Sequence, residues 1–146
     1  MDIKELTAPC GLACWACGIY KDNITEEVAQ ATAARLNMLI EDVACDGCRS
    51  EKGCSVSVPM TQGKGCKTKE CVASKGIHNC SECNEFPCDY LMPVADMASM
   101  VPHNTKIYNL SRIKLIGLEE WANEAPMIQQ KYFKGKFAYG QAPTLD

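Results

Sequence analysis

Eleven cysteines constrain the fold of this 146-residue chain more than any other feature, and all of them lie between residues 10 and 88. Residues 41–90 carry eight of the eleven, together with seven Gly or Pro residues and no Leu or Trp. The eight large apolar side chains of this zone cannot bury enough surface to offset the conformational entropy of fifty residues. A structural metal that contributes on the order of 10 kcal/mol per site would supply the stabilisation that apolar burial does not. We therefore predict that this zone does not fold without metal.

The redox state of the compartment determines whether the cysteines of such a chain form disulfides or bind metal. The first residues, MDIKELTAPCGL, lack the basic start and apolar run of a signal peptide. No apolar stretch approaches the roughly 18 residues that a membrane span needs. We therefore expect a cytoplasmic protein without a membrane segment. Thiols stay reduced in the cytoplasm, so its paired cysteines are expected to be metal ligands rather than disulfides.

The spacing of the cysteines favours zinc. Three C-x2-C pairs occur, Cys14/Cys17, Cys45/Cys48 and Cys80/Cys83, with two wider pairs beside them, Cys66/Cys71 and Cys83/Cys88. A C-x2-C turn places two thiolates at two corners of a tetrahedron, so four cysteines complete one zinc site. We predict two zinc ions. Our preferred division gives one ion to Cys14, Cys17, Cys45 and Cys48, and the other to Cys66, Cys71, Cys80 and either Cys83 or Cys88. Cys10 is either a further ligand or a spare thiol, and Cys54 belongs to no pair.

Helical periodicity flanks the cysteine-rich zone. Asn23 and Glu26 form a capping-box-like start for a helix predicted over residues 24–40. Beyond residue 91 there is no Cys, and two apolar sets recur at helical spacing: Ile107, Leu110, Ile113 and residues 115–118, then Leu118, Trp121, Ala122, Ala125, Ile128 and Tyr132. Gly117 should separate two helices, and Pro126 should split or bend the second.

These patterns together predict a mainly α fold in which irregular, zinc-stapled cysteine-rich loops pack beside helices. We expect a single domain over residues 1–146. Its cysteine-rich metal-binding portion covers about residues 8–90, and its helical portion covers about residues 91–135.

The stretches CGLACWACGIY, CDGCRS, CKTKECVASKG and CSECNEFPC, followed by NLSRIKLIGLEEW, resemble the bacterial and archaeal family catalogued as domain of unknown function 3795. The resemblance implies a small, presumed zinc-binding protein whose biochemical role is not established. It also implies ten candidate metal ligands: Cys10, Cys14, Cys17, Cys45, Cys48, Cys66, Cys71, Cys80, Cys83 and Cys88. Many relatives carry a further C-x2-C pair after the Trp-containing helix, where this chain has KFAYGQAP.

Several functions are compatible with these residues. We favour a zinc-stabilised interaction module with an unknown protein partner, and the segment YLMPVADMASM, with Met92, Met97 and Met100, offers an apolar docking surface. The sequence has two His and no Ser/His/Asp or paired-carboxylate constellation, which argues against an enzyme. The net charge of −3 argues against nucleic-acid binding.

Two alternatives use the same thiols. One is an iron–sulfur electron carrier or thiol redox protein, with four thiolates per cluster. The C-x3-C-x2-C spacing of Cys10, Cys14 and Cys17 is the one with which radical S-adenosylmethionine enzymes hold a four-iron cluster. Those enzymes need a barrel of alternating strands and helices, and no such alternation follows the motif in this chain. The other is a metal sensor or transfer protein that uses Cys10, Cys54 and Cys88 as spare thiols.

Overall fold

A pair of long helices forms one side of the molecule. The computed structural model describes residues 1–91, 103–136 and 140–145, and within these ranges it is mainly helical, with isolated bridges and no β-sheet. The six α-helices of the described residues are α1 (Ile3–Leu6), α2 (Glu26–Leu36), α3 (Ser57–Met60), α4 (Lys67–Ser74), α5 (His103–Ile116) and α6 (Leu118–Lys134). Short 3-10 turns cover Cys14–Ala16, Ile40–Asp42, Cys80–Glu82 and Asp89–Leu91. The predicted mainly α class is confirmed.

The predicted boundary between the last two helices is confirmed. Gly117 separates α5 from α6 with φ +86°, a conformation that favours glycine. Pro126 does not split α6, which runs unbroken from Leu118 to Lys134, so the expected split is wrong. A proline removes one backbone N–H, and neighbouring turns can carry the helix past it.

The apolar stripe of α6 faces the core, as predicted. Trp121, Ala122 and Ala125 are buried, and Leu118 and Ile128 pack against them. Leu110 and Ile113 are buried on α5, but Leu115 is 75% exposed and does not belong to the apolar set assigned to it. The hundred-degree step of a helix places Leu115 away from the face of Leu110 and Ile113.

The helix predicted over residues 24–40 is shorter than expected. It spans Glu26–Leu36, and its N-cap is Thr25, whose hydroxyl accepts a hydrogen bond from the backbone N–H of Val28. Asn37 ends it with φ +50°. The assignment of Asn23 as the capping residue is therefore wrong. Asn23 has a different role, described below.

The cysteine-rich portion packs directly on the helix pair. The ring of Trp15 meets that of Trp121 edge-on with centroids 5.6 Å apart, and the buried Cys10 and Cys80 belong to the same core as Leu110. The buried amide of Asn109 donates to the carbonyl of Gly11 at 2.9 Å. The two portions of the chain thus share one apolar core.

One sequence feature lies outside the described residues. The methionine segment with Met92, Met97 and Met100 falls in residues 92–102, outside the described residues. In the described part of the tail, Lys136 and Thr144 pair through two backbone hydrogen bonds of 2.8 and 3.2 Å. None of the helices in the described ranges is long and apolar enough to cross a membrane.

Candidate metal centre

Two of the C-x2-C pairs, Cys14/Cys17 and Cys80/Cys83, adopt backbone turns of the same geometry. In the first, a 3-10 turn over Cys14–Ala16 is closed by the N–H of Cys17, which donates to the carbonyl of Cys14 at 3.0 Å. In the second, the N–H of Cys83 donates to the carbonyl of Cys80 at 3.1 Å. Cys17 and Cys83 have φ/ψ of −75°/136° and −76°/136°. Two segments more than sixty residues apart thus present their thiols from equivalent turns.

The C-x2-C pair Cys45/Cys48 lies against the pair Cys14/Cys17. The N–H of Cys45 donates to the carbonyl of Ile19 at 2.9 Å, and the N–H of Lys21 donates to the carbonyl of Cys45 at 3.0 Å. The N–H of Cys48 points at the sulfur of Cys14, 3.4 Å away. Gly47 has φ +105° inside the turn, a conformation that favours glycine. Cys14, Cys17, Cys45 and Cys48 therefore form one group, which we call the N-terminal thiol set.

Burial and mutual repulsion both act on this set. Burial raises the pKa of Cys14 to about 11, against the opposing hydrogen bond from the Cys48 N–H. Burial also raises the pKa of Cys48 to about 12, and the neighbouring thiols of Cys10, Cys14 and Cys66 add to the rise. Thiols in such a place are costly to ionise unless a cation accompanies them.

Cys54, which the sequence pattern left alone, joins this region. Its thiol forms a hydrogen bond with the thiol of Cys45, and this bond lowers the pKa of Cys45 and raises that of Cys54. The backbone N–H of Gly47 also donates to the Cys45 sulfur at 3.4 Å. Cys54 stands nine positions from Cys45 with no paired spacing, so no local signal in the sequence could have found this contact.

A second group of cysteines surrounds a cavity of about 520 Å³. Cys71 comes from α4, Cys80 and Cys83 come from the 3-10 turn over Cys80–Glu82 and its C-cap, and Cys88 follows on the next loop. We call these four the C-terminal thiol set. Burial raises the pKa of Cys80 to about 12, with further contributions from Cys10 and the other three members of the set. The apolar wall of the cavity includes Val72, Ile77, Phe86 and Leu91.

The membership of this set differs in one residue from our preferred division. Cys88 lines the cavity together with Cys71, Cys80 and Cys83, whereas Cys66 is not among the lining residues. Cys66 precedes α4 as its N-cap and is an electrostatic neighbour of Cys10 and Cys48. Burial raises the pKa of Cys10, which lies between the two sets.

Lys75 stands at the rim of the cavity. Its ammonium donates to the sulfur of Cys83 at 3.3 Å and to a carboxylate oxygen of Glu85 at 2.9 Å. Both contacts raise the pKa of Lys75, that with Glu85 more strongly, so the side chain keeps its charge beside the thiols. A cation in this position offsets the negative charge of thiolates.

Arg49 and Asn23 brace the cysteine segments, and sequence reasoning missed both. The guanidinium of Arg49 donates to the carbonyls of Thr7 and His78, which precede Cys10 and Cys80. The amide of Asn23 donates to the carbonyls of Trp15 and Cys17 at 2.7 and 2.9 Å, within the first turn. Arg49 directly follows Cys48, and that adjacency was the one available signal.

His78 serves the framework in the same way. One ring nitrogen lies 2.8 Å from the carbonyl oxygen of Lys4, and its backbone N–H donates to Glu82. The N–H of Cys80 donates to the carbonyl of Pro9 at 2.9 Å, which joins the N-terminal segment to the second turn.

Cysteine sulfurs are suitable ligands for a thiophilic metal, although the sulfurs of these sets do not converge on a single point. Within residues 1–91, 103–136 and 140–145, no three Cys, His, Asp or Glu side chains converge closely enough to hold a single ion. All eleven cysteines are free thiols. The sulfurs of the two sets accept hydrogen bonds from backbone N–H groups and an ammonium, which is the environment that metal-bound thiolates require.

Comparison with known proteins gave one match. Neither the curated proteins nor the solved structures include a match to this chain. The sequence model of the family described as "Protein of unknown function (DUF3795)" matches residues 6–93, which is more than half of the chain and contains both thiol sets. The resemblance seen in the cysteine framework is thereby confirmed, and the chain belongs to the DUF3795 family.

Proposed function

We propose that this protein is a zinc-stabilised interaction module. The N-terminal thiol set would hold one ion, and the C-terminal thiol set would hold a second. The observation that carries this proposal is the meeting of two C-x2-C pairs: Cys45 is bonded to Ile19 beside the first pair, and Cys48 donates to the sulfur of Cys14. Two such pairs in contact supply the four sulfurs of a closed zinc site.

The energetics of the cysteine-rich zone support a structural role for the metal. Within residues 41–90, Val43 and Val72 are the buried large aliphatic side chains, whereas Val58 is 56% exposed and Tyr90 is 57% exposed. Two buried valines contribute only about 3–6 kcal/mol by area burial. Zinc binding contributes on the order of 10 kcal/mol per site and would carry most of the stability of this zone.

Two features favour an interaction module: the chemistry of the reactive groups and the apolar side chains exposed on the helices. The reactive groups in the described cysteine region are thiols, which closed zinc sites would occupy. His78 is engaged with the Lys4 carbonyl, which leaves it poorly placed as a general base. The outer faces of α5 and α6 expose apolar side chains, including Leu115 at 75% and Tyr108 at 54%, and these are candidates for contact with a protein partner.

The proposed compartment is the cytoplasm. Eleven free thiols and a pair of zinc sites require reducing surroundings, because oxidation of the ligands to disulfides releases the metal. The acidic composition, with 18 Asp and Glu against 15 Lys and Arg, gives no support to nucleic acid as the partner.

A chelator titration followed by far-UV circular dichroism tests the structural role of the metal. The purified zinc-loaded chain is titrated with a high-affinity chelator under reducing conditions. We expect loss of ordered structure in the cysteine-rich zone, and recovery when excess zinc is added. An unchanged spectrum and unchanged thermal unfolding after complete removal of zinc would show that the metal does not stabilise the fold.

A further inference from the structure

We propose that the C-terminal thiol set is an exchangeable metal site, which takes up and passes on a thiophilic divalent cation such as zinc, while the N-terminal set keeps its ion. This inference rests on the proposed function, since it assumes that both sets bind metal. It assigns different roles to the two sets. The structural basis is the cavity beside Cys71, Cys80, Cys83 and Cys88, together with the Lys75 contact at its rim.

The cavity provides room that a closed site does not need. Four thiolates that bind one zinc ion sit about 2.3 Å from it and leave no free volume between them. The space of about 520 Å³ beside this set falls in the range of small-molecule sites. An incoming chelating group, such as a cysteine side chain of an acceptor protein, can therefore approach the ligands directly.

The members of the set differ in access. Cys80 is buried, with 8% of its surface exposed, whereas Cys71, Cys83 and Cys88 are partly exposed. Cys80 belongs to the same core as Leu110 and is tied through its N–H to Pro9. Cys80 is thus the fixed ligand of the set, and the three partly exposed thiols are those that can leave a metal ion first.

Lys75 is suited to assist that departure. Its ammonium contacts the Cys83 sulfur and is otherwise held by an ion pair with Glu85, whose side chain is 74% exposed. Exposed ion pairs of this kind contribute about 0–1 kcal/mol, so the ammonium can move between its two partners. As a thiolate of the acceptor forms a bond to the zinc ion, the bond between zinc and Cys83 breaks, and the freed Cys83 thiolate pairs with the Lys75 ammonium. No electron is transferred in this exchange.

The N-terminal set shares this division of access, since Cys14, Cys17 and Cys48 are partly exposed, and it differs in how its segments are held. Cys45 is 7% exposed and is paired through backbone hydrogen bonds on both sides, with Ile19 and Lys21. Asn23 holds the turn that carries Cys17. These bonds fix the backbone that carries the Cys17 and Cys45 thiols.

Zinc release to a chromophoric chelator tests the inference on the full-length chain. The zinc-loaded protein is mixed with excess chelator, and release is followed by absorbance. We expect two phases of equal amplitude. The variant Lys75→Met should slow the fast phase by about 10- to 100-fold, the range of effect found when outer-shell partners of metal ligands are removed, and should leave the slow phase unchanged. Lys67→Met is the matched control, because Lys67 begins the helix that Lys75 caps and pairs with Glu70 rather than with a thiol.

Alkylation mapping of the unmodified protein makes the test independent of any variant. Zinc-loaded protein is exposed to chelator for the duration of the fast phase, alkylated with N-ethylmaleimide and digested, and the labelled peptides are measured by mass spectrometry. We expect label on Cys71, Cys83 and Cys88 before Cys14, Cys17 and Cys48. Simultaneous labelling of both sets, a single release phase, or a fast phase unaffected by Lys75→Met would overturn the exchange role and leave the zinc-stabilised module standing. A chain purified with no stoichiometric zinc would overturn both.

Discussion

The backbone N–H of Cys48 points at the sulfur of Cys14 from 3.4 Å, across 34 positions of sequence. Each residue belongs to a different C-x2-C pair, so this contact marks where the two pairs meet. Trp15 directly follows Cys14, and its ring packs on Trp121 of α6. The N-terminal thiol set and the helix pair are therefore linked through a few consecutive residues.

Gly11 lies where α5 approaches the first cysteine segment most closely. A β-carbon on Gly11 would stand 2.6 Å from Leu110 Cγ, and the residue has φ +84°. Gly11→Ala should lower the free energy of unfolding by about 1–3 kcal/mol for overpacking, in addition to about 1–2 kcal/mol for the left-handed conformation. The comparison is Gly63→Ala, which has φ +79° with no atom within 4 Å of the added carbon and should show the conformational cost alone. Equal losses for the two variants in urea unfolding would contradict the packing at Leu110.

Arg49 holds together the segments that precede Cys10 and Cys80. Arg49→Met removes the donors to the Thr7 and His78 carbonyls while keeping much of the apolar stem. We expect the free energy of unfolding of the zinc-loaded protein to fall by about 2–3 kcal/mol, the scale of hydrogen bonds from a charged donor. Lys52→Met, three positions along at an exposed site, should change it little. If both variants unfold at the same urea concentration, the bracing role of Arg49 is wrong.

Asn23 holds the turn of the first C-x2-C pair from outside. Asn23→Ala removes its bonds to the carbonyls of Trp15 and Cys17, which should loosen the turn and weaken zinc binding by the N-terminal set. The expected loss of affinity is about 10- to 100-fold, measured by equilibrium competition with a chelator. Gln30→Ala, at an exposed position of α2 where the amide donates to Glu26, provides the control. Unchanged affinity in Asn23→Ala would show that the turn is held without it.

The ion pair between Arg112 and Glu124 joins α5 to α6 and should respond to acid. The guanidinium lowers the pKa of Glu124 below its ordinary value of 4.5, so the folded state favours the carboxylate more than the unfolded state does. The stabilisation is present above the unfolded pKa and is lost as pH falls through the folded pKa. Glu124→Gln should therefore be less stable than the unmodified protein at pH 6, and the difference should shrink as pH falls below 4.5. A stability difference that stays constant from pH 6 to pH 3, measured by thermal unfolding of both proteins side by side, would contradict this.

Local periodicity was sufficient to predict the helices, because their signals lie within a few turns of chain. The apolar stripe of Trp121, Ala122 and Ala125 and the break at Gly117 both follow from residues close together in sequence. The exceptions have physical causes that a local pattern does not contain. Pro126 costs one backbone hydrogen bond, and the packing of the stripe on either side keeps the helix continuous. Asn23 does not cap the helix, because its amide donates to the carbonyls of Trp15 and Cys17 in the neighbouring turn.

The sequence was sufficient to predict which cysteines belong to the candidate site. It was not sufficient to predict how all of them are grouped in space. Paired spacing identified nine cysteines and suggested that the pairs Cys14/Cys17 and Cys45/Cys48 meet. The exchange of Cys66 for Cys88 at the cavity, and the contact of Cys54 with Cys45, depend on the path of loops between the pairs. Loops without periodicity carry no local signal of which segments they bring together.

The metal content of the protein tests the central claim most directly. The untagged chain is purified under anaerobic, reducing conditions, and zinc, iron and acid-labile sulfide are measured per chain alongside the visible spectrum. We predict about two zinc ions per chain, one for each four-cysteine set, and a colourless protein. Iron and sulfide in stoichiometric amounts, with a brown colour, would contradict it and establish an iron–sulfur protein instead.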